Sequence, residues 1–267
     1  MKTARARRMA GDLLALALVL GYVWLASRTE AGASDPVWRR VSERGVLIAG
    51  TDIGFAPFVV GQPDGSLSGY DVELVTEIAR RLGWRVEWRQ IGYDALFGAV
   101  DGANPNQVDL LAAGIVLNPG EGWRARFSIP YFDGGQQILV PSGSALSGQA
   151  GLSGKRIAAQ LGSPGEAAAQ ALHNGDPTIQ VINSPETQAG AVELLLSGGA
   201  DAAIVDNASG LPSVHRGETR MIGGMSYEPY VLAMPAAAYQ LHSEVNRVLG
   251  ELQAEGWIAD LNQRWFK

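Results

Sequence analysis

The chain has 267 residues, 46% of them hydrophobic, enough to bury one or two globular cores. It carries no cysteine and only three histidines (His173, His215 and His242) in unlike contexts, which excludes disulfides and thiolate metal sites and leaves no histidine-rich site. A net charge of −6 argues against nucleic acid as a partner.

Residues 1–33 stand apart from the rest. Lys2, Arg5, Arg7 and Arg8 precede an apolar run from Leu13 to Ala26, and the segment ends Ala31-Gly32-Ala33. A basic start, a short apolar core and a small-x-small exit read as a secretory signal peptide cut after Ala33. An uncleaved anchor is the alternative, but spanning a bilayer takes about 20 apolar residues, more than this run offers. Arg7-Arg8 lacks the flanking pattern of a twin-arginine signal. Removing the segment leaves 16 basic and 25 acidic side chains, a net charge of −9 and a mild bias toward cationic ligands.

Val46 to Gly50 reads as a buried parallel strand. Tyr70 to Leu82 places Val72, Val75, Ile78, Ala79 and Leu82 at helical spacing, with Gly83 as the stop. Arg85 to Arg89 alternates as a half-exposed strand does. Asp94 opens a helix through Val100, and Val108 to Ala113 is another buried strand. This order implies right-handed crossovers and a parallel sheet.

A second unit repeats the grammar. Lys155 to Gln160, Thr178 to Ile182 and Ala200 to Val205 read as strands. Ser163-Pro164 and Ser184-Pro185 read as helix starts, an N-cap followed by proline, and the second of these helices runs through Leu196. A Gly/Ser-rich link, Ser142 to Gly154, precedes the unit. The tail, a strand at Tyr230 to Met234 and helices at His242 to Ala254 and Trp257 to Trp265, is expected to return to the first unit. The chain would then cross between lobes near Asp133-Gly134-Gly135 and near Tyr227-Glu228-Pro229, the connectivity of a hinge.

Taken in order, Gly50-Thr51-Asp52, Pro57-Phe58, Gly69-Tyr70-Asp71, Val108-Asp109-Leu110, Phe127-Ser128 with Pro130-Tyr131, Leu161-Gly162-Ser163, Asp201-Ala202 with Asp206, and Glu255-Gly256-Trp257 with Arg264-Trp265-Phe266 form a pattern. It resembles the bacterial extracellular solute-binding proteins of family 3, the polar amino-acid type that serves ABC importers. The resemblance implies an α/β, two-lobed type II periplasmic-binding-protein fold, its two parallel-rich sheets joined by a two-crossing hinge. The expected division is a signal peptide at 1–33, lobe 1 at 34–134 and 229–267, and lobe 2 at 135–228. It also implies a periplasmic or extracellular location, a small-molecule ligand, a membrane permease as partner, no cofactor, no metal, and a monomer.

Carried over residue by residue, the resemblance puts Asp52 near the ligand's amine, with Phe55 and Tyr93 as flanking rings and Asp206 as the acid that accepts the ammonium. Each has a structural alternative: turn capping for Asp52, lobe core for Phe55, and an N-cap for Asp206. Asp71 reads as helix-start capping. The chain departs from the family where a carboxylate would be held. The family's arginine six residues before the Phe-Ser-x-Pro-Tyr motif is Glu121 here, and the hydroxyl eleven residues before it is Val116. Ala113 and Gly114 offer backbone groups alone. In the second lobe Pro164 has no N–H to give beside Ser163, which with Glu166 also fits a capping box.

Within the amine or amino-acid-like ligands expected, these departures favour a cationic or amine-bearing one without a free α-carboxylate, lying between Phe55 and Tyr93 and balanced by Asp52, Glu121 and Asp206. The open alternative is that Arg124 or Arg126 replaces the missing arginine. A cyclohexadienyl-type dehydratase of the same fold would use Glu121 or Glu166 as general acid. Its substrates are carboxylates, however, and no nucleophile, metal or phosphate motif is present, so a non-enzyme is expected. A ligand-sensing protein is a third reading.

Overall fold

Strand β1 (Val46–Thr51) forms from the first apolar run, and five of its six residues are buried. The structure, a computed structural model, describes residues 35–101, 108–184 and 187–267, so the leader read at residues 1–33 and the prolyl start at Pro185 lie outside it. Strand β1 pairs in parallel with β4 (Arg85–Gln90) on one side and with β5 (Leu110–Val116) on the other. Between them run a small hairpin, β2 (Val60–Gly61) and β3 (Leu67–Ser68), helix α2 (Tyr70–Arg81) and the short helix α3 (Leu96–Val100). Helix α2 buries Val72, Leu74, Val75, Ile78 and Ala79 against one face, and α3 buries Leu96, Ala99 and Val100 against the other. Coverage on both faces is why β1 up to Gly50 and β5 are apolar, whereas the edge strand β4 alternates.

Helix α1 (Pro36–Arg44), which starts at an N-cap followed by proline, docks through charge. Buried Asp109 accepts the Ile48 amide at 2.9 Å and pairs with Arg40 at 2.8 Å and with Arg44. Asp35 caps two helices at once. One oxygen accepts the Val37 and Trp38 amides at the start of α1, and the other accepts the Gln240 and Leu241 amides of the distant tail. Each cap satisfies amides that a helix start leaves without partners.

After β6 (Ala125–Phe127) and β7 (Phe132–Asp133) the chain leaves the first sheet and enters β8 (Gln136–Pro141) of the second. The second sheet adds β9 (Arg156–Gln160), β10 (Gln180–Ser184), β11 (Ala202–Asp206) and β12 (Thr219–Gly224) in the order β10-β9-β11-β8-β12. Strands β9, β10 and β11 run parallel, and β8 and β12 are antiparallel to their neighbours. Ser163 caps α4 (Pro164–Gly175) as expected. The cap of α5 (Gln188–Leu196) is Thr187, which accepts the Gly190 amide, whereas Ser184 is the last residue of β10, a correction to the expected start. Helix α6 (Asn207–His215) follows β11 directly.

The chain then returns through β13 (Pro229–Pro235), buried along its whole length, which completes the first sheet in the order β4-β1-β5-β13-β6. Helices α7 (Tyr239–Ala254) and α8 (Trp257–Trp265) close the core over α2, with Leu241, Val245, Val248, Leu252 and Leu261 buried. The fold is α/β and two-lobed, with two parallel-rich sheets. No helix among the described residues is long and apolar enough to cross a membrane.

Candidate functional site

The first sheet presents the C-terminal ends of β1, β4 and β5 on one edge, where open α/β sheets bind ligands. Asp52 follows β1, and among the described residues its carboxylate makes no hydrogen bond or ion pair. Phe55 lies on the same loop, 41% exposed, stacked on the buried Phe58 ring at 5.2 Å between centroids. Its other neighbour is Gly114 on β5, whose φ is +56°. A methyl group at Gly114 would collide with the Phe55 ring, so ring and backbone are in direct contact. Tyr93, in a single turn after β4, is 60% exposed and available for contact.

Ala113 is buried with Leu96, Ala99 and Val231, so its methyl serves the core. The Gly114 amide donates to the Asp71 carboxylate at 2.8 Å. The other Asp71 oxygen accepts the Tyr131 hydroxyl, also at 2.8 Å. Asp71 is therefore not the helix cap that its position suggested: Gly69 is the N-cap residue and α2 has no side-chain cap. Burial pushes the Asp71 carboxyl up to about 7, against the pull of its two hydrogen bonds.

Glu121 sits in the turn after β5 and pairs with Arg124 at 3.6 Å. Glu121 Oε2 and Arg124 Nε are both buried without a hydrogen-bond partner. Arg126 is turned elsewhere: Nε donates to the Ala236 carbonyl at 2.7 Å, and the guanidinium lies 3.8 Å over the Tyr239 ring.

In the second sheet the ends of β9, β10 and β11 form the matching edge. The Ser163 hydroxyl donates to the Gln160 carbonyl at 2.7 Å and accepts the Glu166 amide at 3.1 Å. Glu166 takes the Gly162 amide at 2.6 Å and the Asn183 side chain at 2.8 Å. The Ser163 amide donates to the Gln160 carbonyl. These donors of the loop are engaged within the protein. Asp206 caps α6 through the Ser209 amide at 2.6 Å, and its second oxygen accepts the Gln188 side-chain amide.

The two edges meet at the hinge. One Asp133 oxygen accepts the Gly135 amide at 2.9 Å and the Glu228 amide at 3.0 Å, joining the two crossings. The Tyr230 ring rests on Gly134, where a methyl group would strike it, and stands 6.1 Å from the Phe55 ring. Burial pushes the Tyr230 phenol up, and the negative charges of Asp206, Glu228 and Asp71 add to the effect.

Lobe 1 brings Phe55 onto Gly114, and lobe 2 holds Asp206 beside Gln188. Ser163 is occupied by local partners, and Glu121 is paired with Arg124 without a hydrogen bond to its Oε2. Tyr230, Gln188 and Tyr131 are not among the residues that the sequence offers as solute contacts. An aromatic at the second hinge crossing was a usable signal for Tyr230, and Gln188 gave none. Among the described residues no group of three or more histidine, aspartate or glutamate side chains could hold a metal.

Comparison with known proteins gives a consistent answer. The sequence pattern of the bacterial extracellular solute-binding proteins, family 3, matches residues 47–267. The L-cystine-binding protein of Escherichia coli strain K12 is 25% identical over 272 residues, covering 100% of this chain and 98% of its own. A solved ancestral cationic amino-acid solute-binding protein is 26% identical with a TM-score of 0.67, over 86% of this chain and 99% of that one. An ancestral cyclohexadienyl dehydratase is 22% identical with a TM-score of 0.66, over 85% of this chain and 95% of that one, and at that identity shares the fold alone.

Proposed function

The chain belongs to the bacterial extracellular solute-binding proteins of family 3, and from that premise we propose that it captures a small amine-bearing, amino-acid-like solute and presents it to an ABC permease. The observation that carries the choice of solute is the state of the groups able to hold a carboxylate. The amides of Gly114, Gly162 and Ser163 are donated within the protein, Pro164 has none, and Arg126 faces Ala236 and Tyr239. Arg124 is neutralised by Glu121. Asp52, by contrast, keeps its carboxylate unengaged among the described residues, and Asp206 has lone pairs left beside its two partners. Such an edge favours an ammonium over a carboxylate.

Capture proceeds by closure. The solute first meets lobe 1 (34–134 and 229–267) through Phe55, Tyr93 and the backbone at Ala113 and Gly114. Lobe 2 (135–228) then swings about the two crossings and brings Asp206 and Ser163 over it, the form a permease recognises. The protein acts outside the cytoplasmic membrane as a monomer, exported by its basic and apolar leader.

A dehydratase reading needs a free cleft acid. Glu166 is held by Gly162 and Asn183, and Glu121 by Arg124, which supports a carrier rather than an enzyme. The test is a thermal-shift screen against amino acids, polyamines, quaternary amines and cyclic acids. A solute that binds only the folded state stabilises it by about 2.7 kcal/mol at a hundred times its Kd. A rise with amine-bearing solutes is expected, and a rise with cyclic acids alone would overturn the reading.

A further inference from the structure

We propose that Asp71 is a positioning residue of the solute site: its buried carboxylate fixes the left-handed turn at Gly114 and thereby seats the Phe55 ring, an inference that rests on Phe55 and Gly114 being solute contacts. Asp71 occupies the first turn of α2, where a carboxylate ordinarily caps its own helix. Here that task is done by backbone. The Tyr70 and Asp71 amides donate to the Pro57 and Phe58 carbonyls at 2.9 and 3.0 Å. The helix start is thereby tied to the loop that carries Phe55, and the carboxylate is left to act elsewhere.

It reaches the facing strand instead. One oxygen takes the Gly114 amide and the other the Tyr131 hydroxyl, each at 2.8 Å. Tyr131 stands two residues before Asp133, whose carboxylate joins both hinge crossings. No ion pair of Asp71 is present among the described residues, and its side chain is fully buried. A buried carboxylate without a cation is costly, and core packing alone would favour an apolar residue of the same volume. What the carboxylate supplies is geometry. Gly114 has φ +56°, and the close approach of the Phe55 ring requires that there be no side chain on it. One side chain thus sets the turn on which the ring rests and the segment leading to the hinge, while the backbone of the same residue holds the loop that bears the ring.

The test uses the full chain with Asp71→Leu and Asp71→Asn. The first fills the space without an acceptor, and the second keeps an acceptor for Gly114. Two readouts are taken: the amide and α-proton NMR shifts of Gly114, with the ring-proton shifts of Phe55, and calorimetric titration with cadaverine. In Asp71→Leu the Gly114 amide should move upfield, the ring-current shift from Phe55 should vanish, and cadaverine should bind at least tenfold more weakly. Asp71→Asn should recover most of both losses, which a residue serving bulk stability alone would not require. A folded Asp71→Leu chain with unchanged Gly114 and Phe55 signals, or with unchanged cadaverine affinity, overturns the proposal. If cadaverine does not bind the unaltered chain, the amine reading fails, and the NMR comparison alone decides the role of Asp71. If Asp71→Leu does not fold, Gly114→Ala probes the same turn from the other side. It should displace the Phe55 ring and weaken cadaverine, and unchanged ring signals would overturn the proposal.

Discussion

Gln188 and Asp206 hold each other by two hydrogen bonds: the Gln188 side-chain amide donates to the Asp206 carboxylate, and the Asp206 backbone amide donates back to Gln188 Oε1 at 2.6 Å. The same carboxylate caps α6 through Ser209. Capping and solute binding are therefore compatible rather than exclusive, because an oxygen that accepts one hydrogen bond retains a second lone pair. The clamp fixes the direction of Asp206 before a solute arrives, which lowers the ordering cost of binding.

Two substitutions separate the roles. Asp206→Asn keeps an acceptor for Ser209 and removes the charge, but it turns an NH2 toward the Gln188 side-chain amide, so the melting temperature should fall, though by less than in Asp206→Ala. Affinity for an amine should fall about 10- to 150-fold, the equivalent of about 1.5–3 kcal/mol for a charge-assisted contact. Asp206→Ala should show the same loss and also destabilise the fold by about 1 kcal/mol, the value of an N-cap. Calorimetry and thermal melts on the same samples check both, and affinity kept within twofold in Asp206→Asn would remove Asp206 from the site.

Arg124 answers whether the missing arginine has been replaced. If it only neutralises Glu121, Arg124→Gln should release that acid and tighten amine binding by up to about fivefold, the range expected of a partly exposed pair. If Arg124 clamps a carboxylate, the same substitution should weaken L-lysine while leaving cadaverine unchanged. Paired titrations distinguish these outcomes.

The hinge depends on a shared acceptor. Asp133→Ala strips the Gly135 and Glu228 amides of their partner. Unmet buried donors cost about 1–3 kcal/mol, so a lower melting temperature is expected together with a broader spread of lobe orientations in solution scattering. Asp133→Asn retains an acceptor and should lie between the variant and the unaltered chain.

Stability should carry the signature of Asp71. Its folded-state pKa is pushed by burial to about 7, from an ordinary value near 4. Between these values the folded chain holds a proton that the unfolded chain has released, so this group's contribution falls as pH rises from about 4 to about 7. Denaturant melts at pH 5 and pH 8 should show a larger drop for the unaltered chain than for Asp71→Asn. Parallel profiles would contradict the assignment.

What the sequence revealed follows from which forces are local. The strands at Val46 and Leu110 and the helix at Tyr70 carry their burial pattern in consecutive residues, and Ser163-Pro164 states its own cap. Helix α6 contains Gly210 and Pro212 and has no clear apolar stripe, so its N-cap Asp206 is the one local sign of it. Helix α1 is anchored by an aspartate more than sixty residues away. The role of Asp71 was hidden for the same reason, since its partner Gly114 lies 43 residues further along the chain. Glu121 and Val116, by contrast, were visible directly as departures from a known pattern.

The most direct test of the central claim is calorimetry with L-lysine and with cadaverine, which is lysine without its carboxylate. The two edges, acidic at Asp52 and Asp206, with the Gly114, Gly162 and Ser163 amides engaged within the protein and Arg124 paired to Glu121, predict that cadaverine binds at least as tightly as L-lysine. Binding of L-lysine at least tenfold tighter than cadaverine would show that a carboxylate clamp exists and would contradict the account.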